Sequence, residues 1–227
     1  MKGLILSCGR TGTNMLLEIL RGSDELVATH PAEDKQIFRR NESLYEFYLS
    51  KCDTVYVDTL QMVTDLMEKN PQLKILWTIR DLRDCALSKI YRGQPGNDTP
   101  ILSDDATFSG CLDDIKWMVE VYNHLTAFYP TRVQLVKMED VILNFDETIS
   151  RVCEFCEIPY QPEMKNFTSR YRVTHKAKRY KSLDNKQVSL FKRKYEIYNG
   201  FYKNHNMDLD LLFKELYPFL KLFGYEK

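Results

Sequence analysis

From Leu4 to Asn14 the chain reads Leu-Ile-Leu-Ser-Cys-Gly-Arg-Thr-Gly-Thr-Asn, then runs straight into Met15-Leu16-Leu17-Glu18-Ile19-Leu20. An aliphatic strand, a glycine-bearing turn and a helix start follow one another without a break. N–H groups at a helix N-terminus lack intrahelical partners and carry partial positive charge, so such a turn cradles phosphate-like anions. The expected ligand is a nucleotide or another phosphorylated cofactor. Two common patterns are excluded. No G-x-x-x-x-G-K-[ST] run exists, and Gly9 and Gly12 stand three apart with no third glycine to complete G-x-G-x-x-G. What remains is Gly9-Arg10-Thr11-Gly12-Thr13, a fixed cation directly before a hydroxyl, glycine, hydroxyl triplet.

A second constellation lies about seventy residues on: Ile75-Leu76-Trp77-Thr78-Ile79-Arg80-Asp81-Leu82-Arg83-Asp84-Cys85-Ala86-Leu87-Ser88. Arg80 falls at the carboxyl end of a strand, where open α/β sheets place their ligands, and its planar five-donor guanidinium suits a phosphate. Ser88, roughly two helical turns further, adds a hydroxyl donor. The plainer reading pairs Arg80 and Arg83 with Asp81 and Asp84 at a helix entry. An arginine there opposes the helix macrodipole, which calls for a further reason for its presence.

Together these two segments resemble sulfotransferases that use 3′-phosphoadenosine 5′-phosphosulfate (PAPS), in particular the bacterial and carbohydrate types. In that family Arg or Lys precedes a [ST]-G-[ST] turn on the 5′-phosphosulfate, and an R-D-x-R-D turn with a serine eight residues after its first arginine takes the 3′-phosphate. The Lys-Met-Glu-Asp segment at 137–140 and Ile158-Pro159-Tyr160 resemble the family's Y-E-D-L and [IL]-P-[FY] landmarks, so the resemblance covers residues 3–160 and weakens beyond. It implies PAPS as donor and 3′,5′-diphosphoadenosine (PAP) as product, with no metal. Arg10, Thr11, Gly12, Thr13 and Asn14 are then expected on the 5′ side and Arg80 and Ser88 on the 3′-phosphate. A basic residue from 170–181, Arg172 or Lys176, is expected to close over that phosphate. One departure stands out: where many members carry a lysine-containing K-T-x-P-like segment, this chain reads Val57-Asp58-Thr59-Leu60-Gln61, which places the electrostatic load on Arg10.

The proposed reaction needs a base. Thr29-His30-Pro31-Ala32-Glu33 follows the second strand, whose carboxyl end faces the same crevice. Several family members carry a glutamate just past this strand, which favours Glu33. His30 is the rival, since an imidazole titrates nearer neutral pH. A solvated loop carboxylate and a strand-end hydrogen-bonding histidine are the structural readings of the same two positions. Asp98, Asp104, Asp105, Asp113 and Asp114 surround an aperiodic segment at 93–107 that reads as a lid. They favour a small, polar hydroxyl acceptor, a sugar or a cationic natural product, unless they only solvate the loop. The competing functions are a kinase or other NTPase, which needs a Mg²⁺ site and a loop lysine that are not found, and a non-catalytic nucleotide-binding protein, which leaves Glu33 and His30 idle.

The elements that must position these residues follow the α/β alternation. Strands are expected at 3–7, 25–29, 54–58, 74–79 and 132–137, and helices at 14–21, 42–50, 61–70, 81–92 and 108–129. That is a central parallel sheet of about five strands flanked by helices, with a helical C-terminal third at 146–157, 187–206 and 209–223. The 227 residues suit a single domain over 1–227. Lys+Arg and Asp+Glu both total 32, so no global basic field for nucleic acid or an anionic membrane exists. Six scattered cysteines and an N-terminus leading directly into the first strand suggest a reducing, cytoplasmic setting. Cys153 and Cys156 fit the apolar face of a helix, with no second C-x-x-C to make a metal site.

Overall fold

Apolar runs without polar alternation suit strands covered on both faces. The structure, a computed structural model, describes residues 2–9, 11–24, 27–29, 48–53, 57–90, 108–167 and 209–225. Five strands, β1 (Lys2–Ser7), β2 (Val27–Thr29), β3 (Tyr48–Asp53), β4 (Leu73–Ile79) and β5 (Val133–Lys137), form one sheet in the order β2-β3-β1-β4-β5. Every pairing is parallel, with β1 held between β3 and β4. The helices are α1 (Thr13–Leu20), α2 (Leu60–Lys69), α3 (Leu82–Ile90), α4 (Phe108–Phe128), α5 (Met138–Leu143), α6 (Phe145–Cys156) and α7 (Leu209–Leu222).

Strand periodicity divides the core in two. Leu4, Leu6, Ile75, Trp77 and Ile79 face a layer built from Val63, Leu66 and Met67 of α2, Ile115, Met118 and Leu125 of α4, and Leu216 and Leu220 of α7. Ile5 and Leu76 face the opposite layer, where Met15, Leu16 and Ile19 of α1 meet Val141 and Ile142 of α5 and Ile149, Val152, Cys153 and Cys156 of α6. Each fully buried aliphatic side chain contributes about 1.5–3 kcal/mol relative to exposure. Thus β1 and β4 are fixed from both sides, and the turns leaving their carboxyl ends start from a rigid base. Cys153 and Cys156 are buried core residues of α6, as their spacing predicts.

The third strand departs from expectation. It runs Tyr48–Asp53, where the pattern predicts the end of a helix at 42–50, while of the stretch expected as a strand at 54–58 the described residues 57 and 58 are in neither strand nor helix. Val57 is buried, but its carbonyl accepts the Trp117 indole N–H at 2.8 Å instead of a ladder bond. Thr59 then caps α2, its hydroxyl accepting from the Met62 N–H at 3.2 Å. The β1 ladder, which sets Lys2 against Tyr48 and Ser7 against Asp53, overrides local propensity. The remaining strands and the helices at 14–21, 61–70, 81–92, 108–129, 146–157 and 209–223 lie within a few residues of their expected bounds. The predicted helix at 187–206 and the segment 93–107 lie outside the described residues.

Trp77 is the largest fully buried side chain and packs in a tilted aromatic chain with Tyr122 and Phe223, at centroid distances of 5.3 Å for Trp77 to Tyr122 and 5.1 Å for Tyr122 to Phe223. Its indole N–H has no hydrogen-bond partner among the described residues. Urea unfolding should therefore show Trp77→Ala losing about 3–5 kcal/mol through the cavity, and Trp77→Phe losing markedly less because it also removes the orphaned donor.

Candidate active site

The turn after β1 depends on two glycines in the left-handed region, Gly9 at φ 83° and Gly12 at φ 80°. The Gly9 N–H is satisfied by the Ser7 hydroxyl at 2.9 Å. Gly12 sits at the N-cap of α1 and, having no side chain, makes no side-chain capping bond to that helix. A side chain at Gly12 is disfavoured twice: by its φ, and because a Cβ would lie 2.3 Å from Met138 Sδ, which would have to shift. Thr11 and Thr13 are buried and Asn14 is partly exposed.

The Thr11 hydroxyl meets that of Thr78 at 2.8 Å, and Thr78 donates to the Leu6 carbonyl at 3.4 Å. Either hydroxyl can donate in the bond between Thr11 and Thr78. The same bond fastens the turn after β1 to the end of β4, one residue after the Leu6–Trp77 pair of the ladder.

Beyond β4, Arg80 and Arg83 each meet a buried carboxylate. Arg80 Nη2 bonds Asp84 Oδ2 at 2.7 Å, and Arg83 forks onto Asp81 through Nε at 2.9 Å and Nη2 at 2.6 Å. Pairing with Asp81 and Asp84 is thus present, with Arg83 closed on its partner and Arg80 oriented by Asp84. Asp81 and Asp84 are fully buried, whereas the Arg80 side chain keeps 13% of its surface. The Asp81 N–H donates to Glu139 Oε1 at 2.9 Å, and the Tyr225 hydroxyl donates to Glu139 Oε2 at 2.7 Å. Burial pushes the Glu139 carboxyl above its usual range, against the lowering effect of these two donors. Burial and the adjacent Glu139 push the Tyr225 phenol up as well. Beneath the turns the Cys85 thiol is raised well above its ordinary value by a hydrogen bond with Cys8 and by burial, which makes it inert.

Of the predicted site residues, the structure brings Thr11, Gly12, Thr13 and Asn14 together with Arg80 at the carboxyl ends of neighbouring strands. Ser88 lies within α3. Arg10, His30, Glu33, Arg172 and Lys176 lie outside the described residues, as do Asp98, Asp104 and Asp105. Asp113 is exposed and Asp114 partly so on α4. Sequence reasoning missed Thr78, Met138 and Tyr225, and it saw Glu139 only as a landmark. Among the described residues no cluster of His, Cys, Asp and Glu could hold a metal ion, and no helix is long and apolar enough to cross a membrane. Cys153 and Cys156, raised by burial to about 11 and about 12, are packing residues.

A parallel sheet that sets a glycine turn after β1 beside an arginine turn after β4 defines an α/β protein with its candidate site at the carboxyl ends of the strands. The chain belongs to the sulfotransferase family, whose domain model matches residues 2–212, and the protein is an enzyme of sulfuryl transfer. Solved structures share the fold. A mouse sulfotransferase complexed with PAP is 16% identical, with a TM-score of 0.62 over 95% of this chain and 82% of that one. The sulfotransferase domain from the curacin biosynthetic pathway is 15% identical, with a TM-score of 0.55 over 72% and 76% of the two chains. A sulfotransferase from Mycobacterium avium is 11% identical, with a TM-score of 0.54 over 97% and 76%. No curated protein matches the chain.

The Gly12 to Met138 contact makes the loop testable by a double-mutant cycle. Gly12→Ala should cost about 1–3 kcal/mol in urea unfolding. In a Met138→Ala background the steric part should vanish while the cost of positive φ remains, giving a smaller loss for the same glycine replacement.

Proposed function

We propose that this chain acts as a single domain that moves a sulfuryl group from PAPS to a hydroxyl of a small polar acceptor, a sugar or natural product, cationic ones included. The observation that carries the reading is the Thr11 to Thr78 bond at 2.8 Å, which sets the glycine-capped N-terminus of α1 beside the Arg80 turn. One element suits the 5′-phosphosulfate and the other the 3′-phosphate. Gly12, at φ 80° and packed against Met138, gives the turn the conformation that feeds α1 directly from the loop. The PAP complex of the mouse relative supports the same cofactor. Free thiols at Cys8, Cys85, Cys153 and Cys156 fit a reducing, cytoplasmic setting.

Bound PAPS would supply an electrophilic sulfuryl group on a phosphate leaving group. The chain's own part is to hold, to orient and to move one proton. The N–H groups at Thr11, Gly12, Thr13 and Asn14 hold the 5′ side, with Arg10 set against the charge that develops on the transferring group. Arg80 and Ser88 hold the 3′-phosphate, and Arg172 or Lys176 closes over it. Glu33 takes the proton of the acceptor hydroxyl as its oxygen bonds to sulfur, while the electrons of the breaking sulfur–oxygen bond leave with PAP. His30 is the alternative base. Most of the acceleration comes from orientation and fixed donors, by analogy with phosphoryl transfer.

Calorimetry tests the cofactor. The protein should bind PAP far more tightly than AMP, ADP or ATP, and Arg80→Ala should cost about 1.5–3 kcal/mol of PAP binding. Equal affinity for AMP and PAP removes the assignment, and Mg²⁺-dependent ATP binding replaces it with a kinase. For the base, Glu33→Gln should bind PAP normally yet lose on the order of 10²–10⁴-fold in turnover, with His30→Asn losing much less. The reverse ranking moves the role to His30.

A further inference from the structure

The first two residues of α5 touch both anion-facing turns. Met138 packs on Gly12, and Glu139, 3% exposed, accepts the Asp81 N–H at 2.9 Å. Its other oxygen accepts the Tyr225 hydroxyl at 2.7 Å. Tyr225 is held in turn by its own N–H on the Leu220 carbonyl at 2.8 Å and by Lys137 Nζ, 4.9 Å from its ring centroid. A carboxylate in so dry a place carries a desolvation penalty, and an apolar residue there would orphan two buried donors. Glu139 has one oxygen for each donor. Because a peptide is planar, fixing the N–H of Asp81 fixes the plane of the Arg80–Asp81 peptide, and with it the direction in which the Arg80 side chain leaves the backbone.

We propose that Glu139 is the positioning residue of the 3′-phosphate subsite and that Tyr225 is its latch, the two together setting the reach of Arg80. This rests on the assignment of Arg80 to the 3′-phosphate made above. Neither residue touches the nucleotide. Their effect is on discrimination: loss of the latch lets the Arg80 turn shift while the loop after β1, held by Thr78, keeps its place. The 3′-phosphate should lose its partner and the 5′-phosphate should not. Glutamine at 139 retains the geometry, since its carbonyl accepts from Asp81 and its amide donates to the Tyr225 oxygen.

The test is calorimetry with PAP and with AMP on the parent, Glu139→Ala, Glu139→Gln and Tyr225→Phe, with unfolding curves for each. Glu139→Ala and Tyr225→Phe should weaken PAP binding about ten-fold and leave AMP within about two-fold, and Glu139→Gln should keep both near the parent values. Tyr225→Phe keeps the ring and removes only the hydroxyl, so it decides the matter if Glu139→Ala does not fold. A folded Tyr225→Phe with an unchanged ratio of PAP to AMP affinity overturns the inference, as does an equal loss for both nucleotides, the mark of general packing. A parent protein that binds PAP and AMP alike overturns the PAPS reading itself, and the inference with it.

Discussion

The parallel ladder between β1 and β4 is the constraint on which the site depends. It sets Leu6 opposite Trp77, so that the chain leaves the two strands side by side, and the Thr11 to Thr78 hydroxyl bond then fixes the turns to each other. Both strands are buried on both faces, which gives the ladder no room to slip without moving every side chain to the wrong layer. A ligand with two anionic groups needs two sites at a constant separation. A close-packed core provides that constancy better than loops can.

Electrostatics around the second turn follows from the same burial. Arginines at the start of α3 face the positive end of its dipole, and Asp81 and Asp84, both fully buried, offset that repulsion. The two pairs differ in geometry. Asp81 takes Arg83 on both oxygens and also the Arg83 backbone N–H at 2.9 Å, whereas Asp84 accepts from Arg80 Nη2 on its Oδ2 at 2.7 Å. Buried ion pairs of this kind add little net stability, because desolvation consumes most of the Coulombic gain. Their value lies in fixing where a guanidinium points.

What the sequence makes legible is what one segment can express alone. Leu4 to Leu6 and Ile75 to Ile79 read as strands because residues covered on both faces leave an unbroken apolar run, and the glycine turn and helix follow from local chemistry. The third strand does not, because the β-branched residues at 54–57 outscore Tyr-Leu-Ser-Lys-Cys-Asp locally while the β1 ladder selects the latter. The Thr11 hydroxyl reads as part of the ligand-facing triplet, yet it is bonded to the hydroxyl of Thr78, a residue distant in sequence. Glu139 and Tyr225 carry no local signal for each other at all. Pairings between distant segments are decided by the packed fold, and a single sequence holds no record of them.

The bonds that tie the site's segments to one another close long stretches of chain: 67 residues between Thr11 and Thr78, 58 between Asp81 and Glu139, and 86 between Glu139 and Tyr225. Closing such loops is entropically costly and is deferred until neighbouring contacts repay it, so these bonds belong to the late part of the folding reaction. The central strand and the helix after it can gather from local contacts well before the Tyr225 hydroxyl arrives at Glu139. Competence to hold a nucleotide is thus acquired near the end of folding, when the last described helix docks, and a nucleotide that recognises only the finished site acts as a thermodynamic check on completed chains.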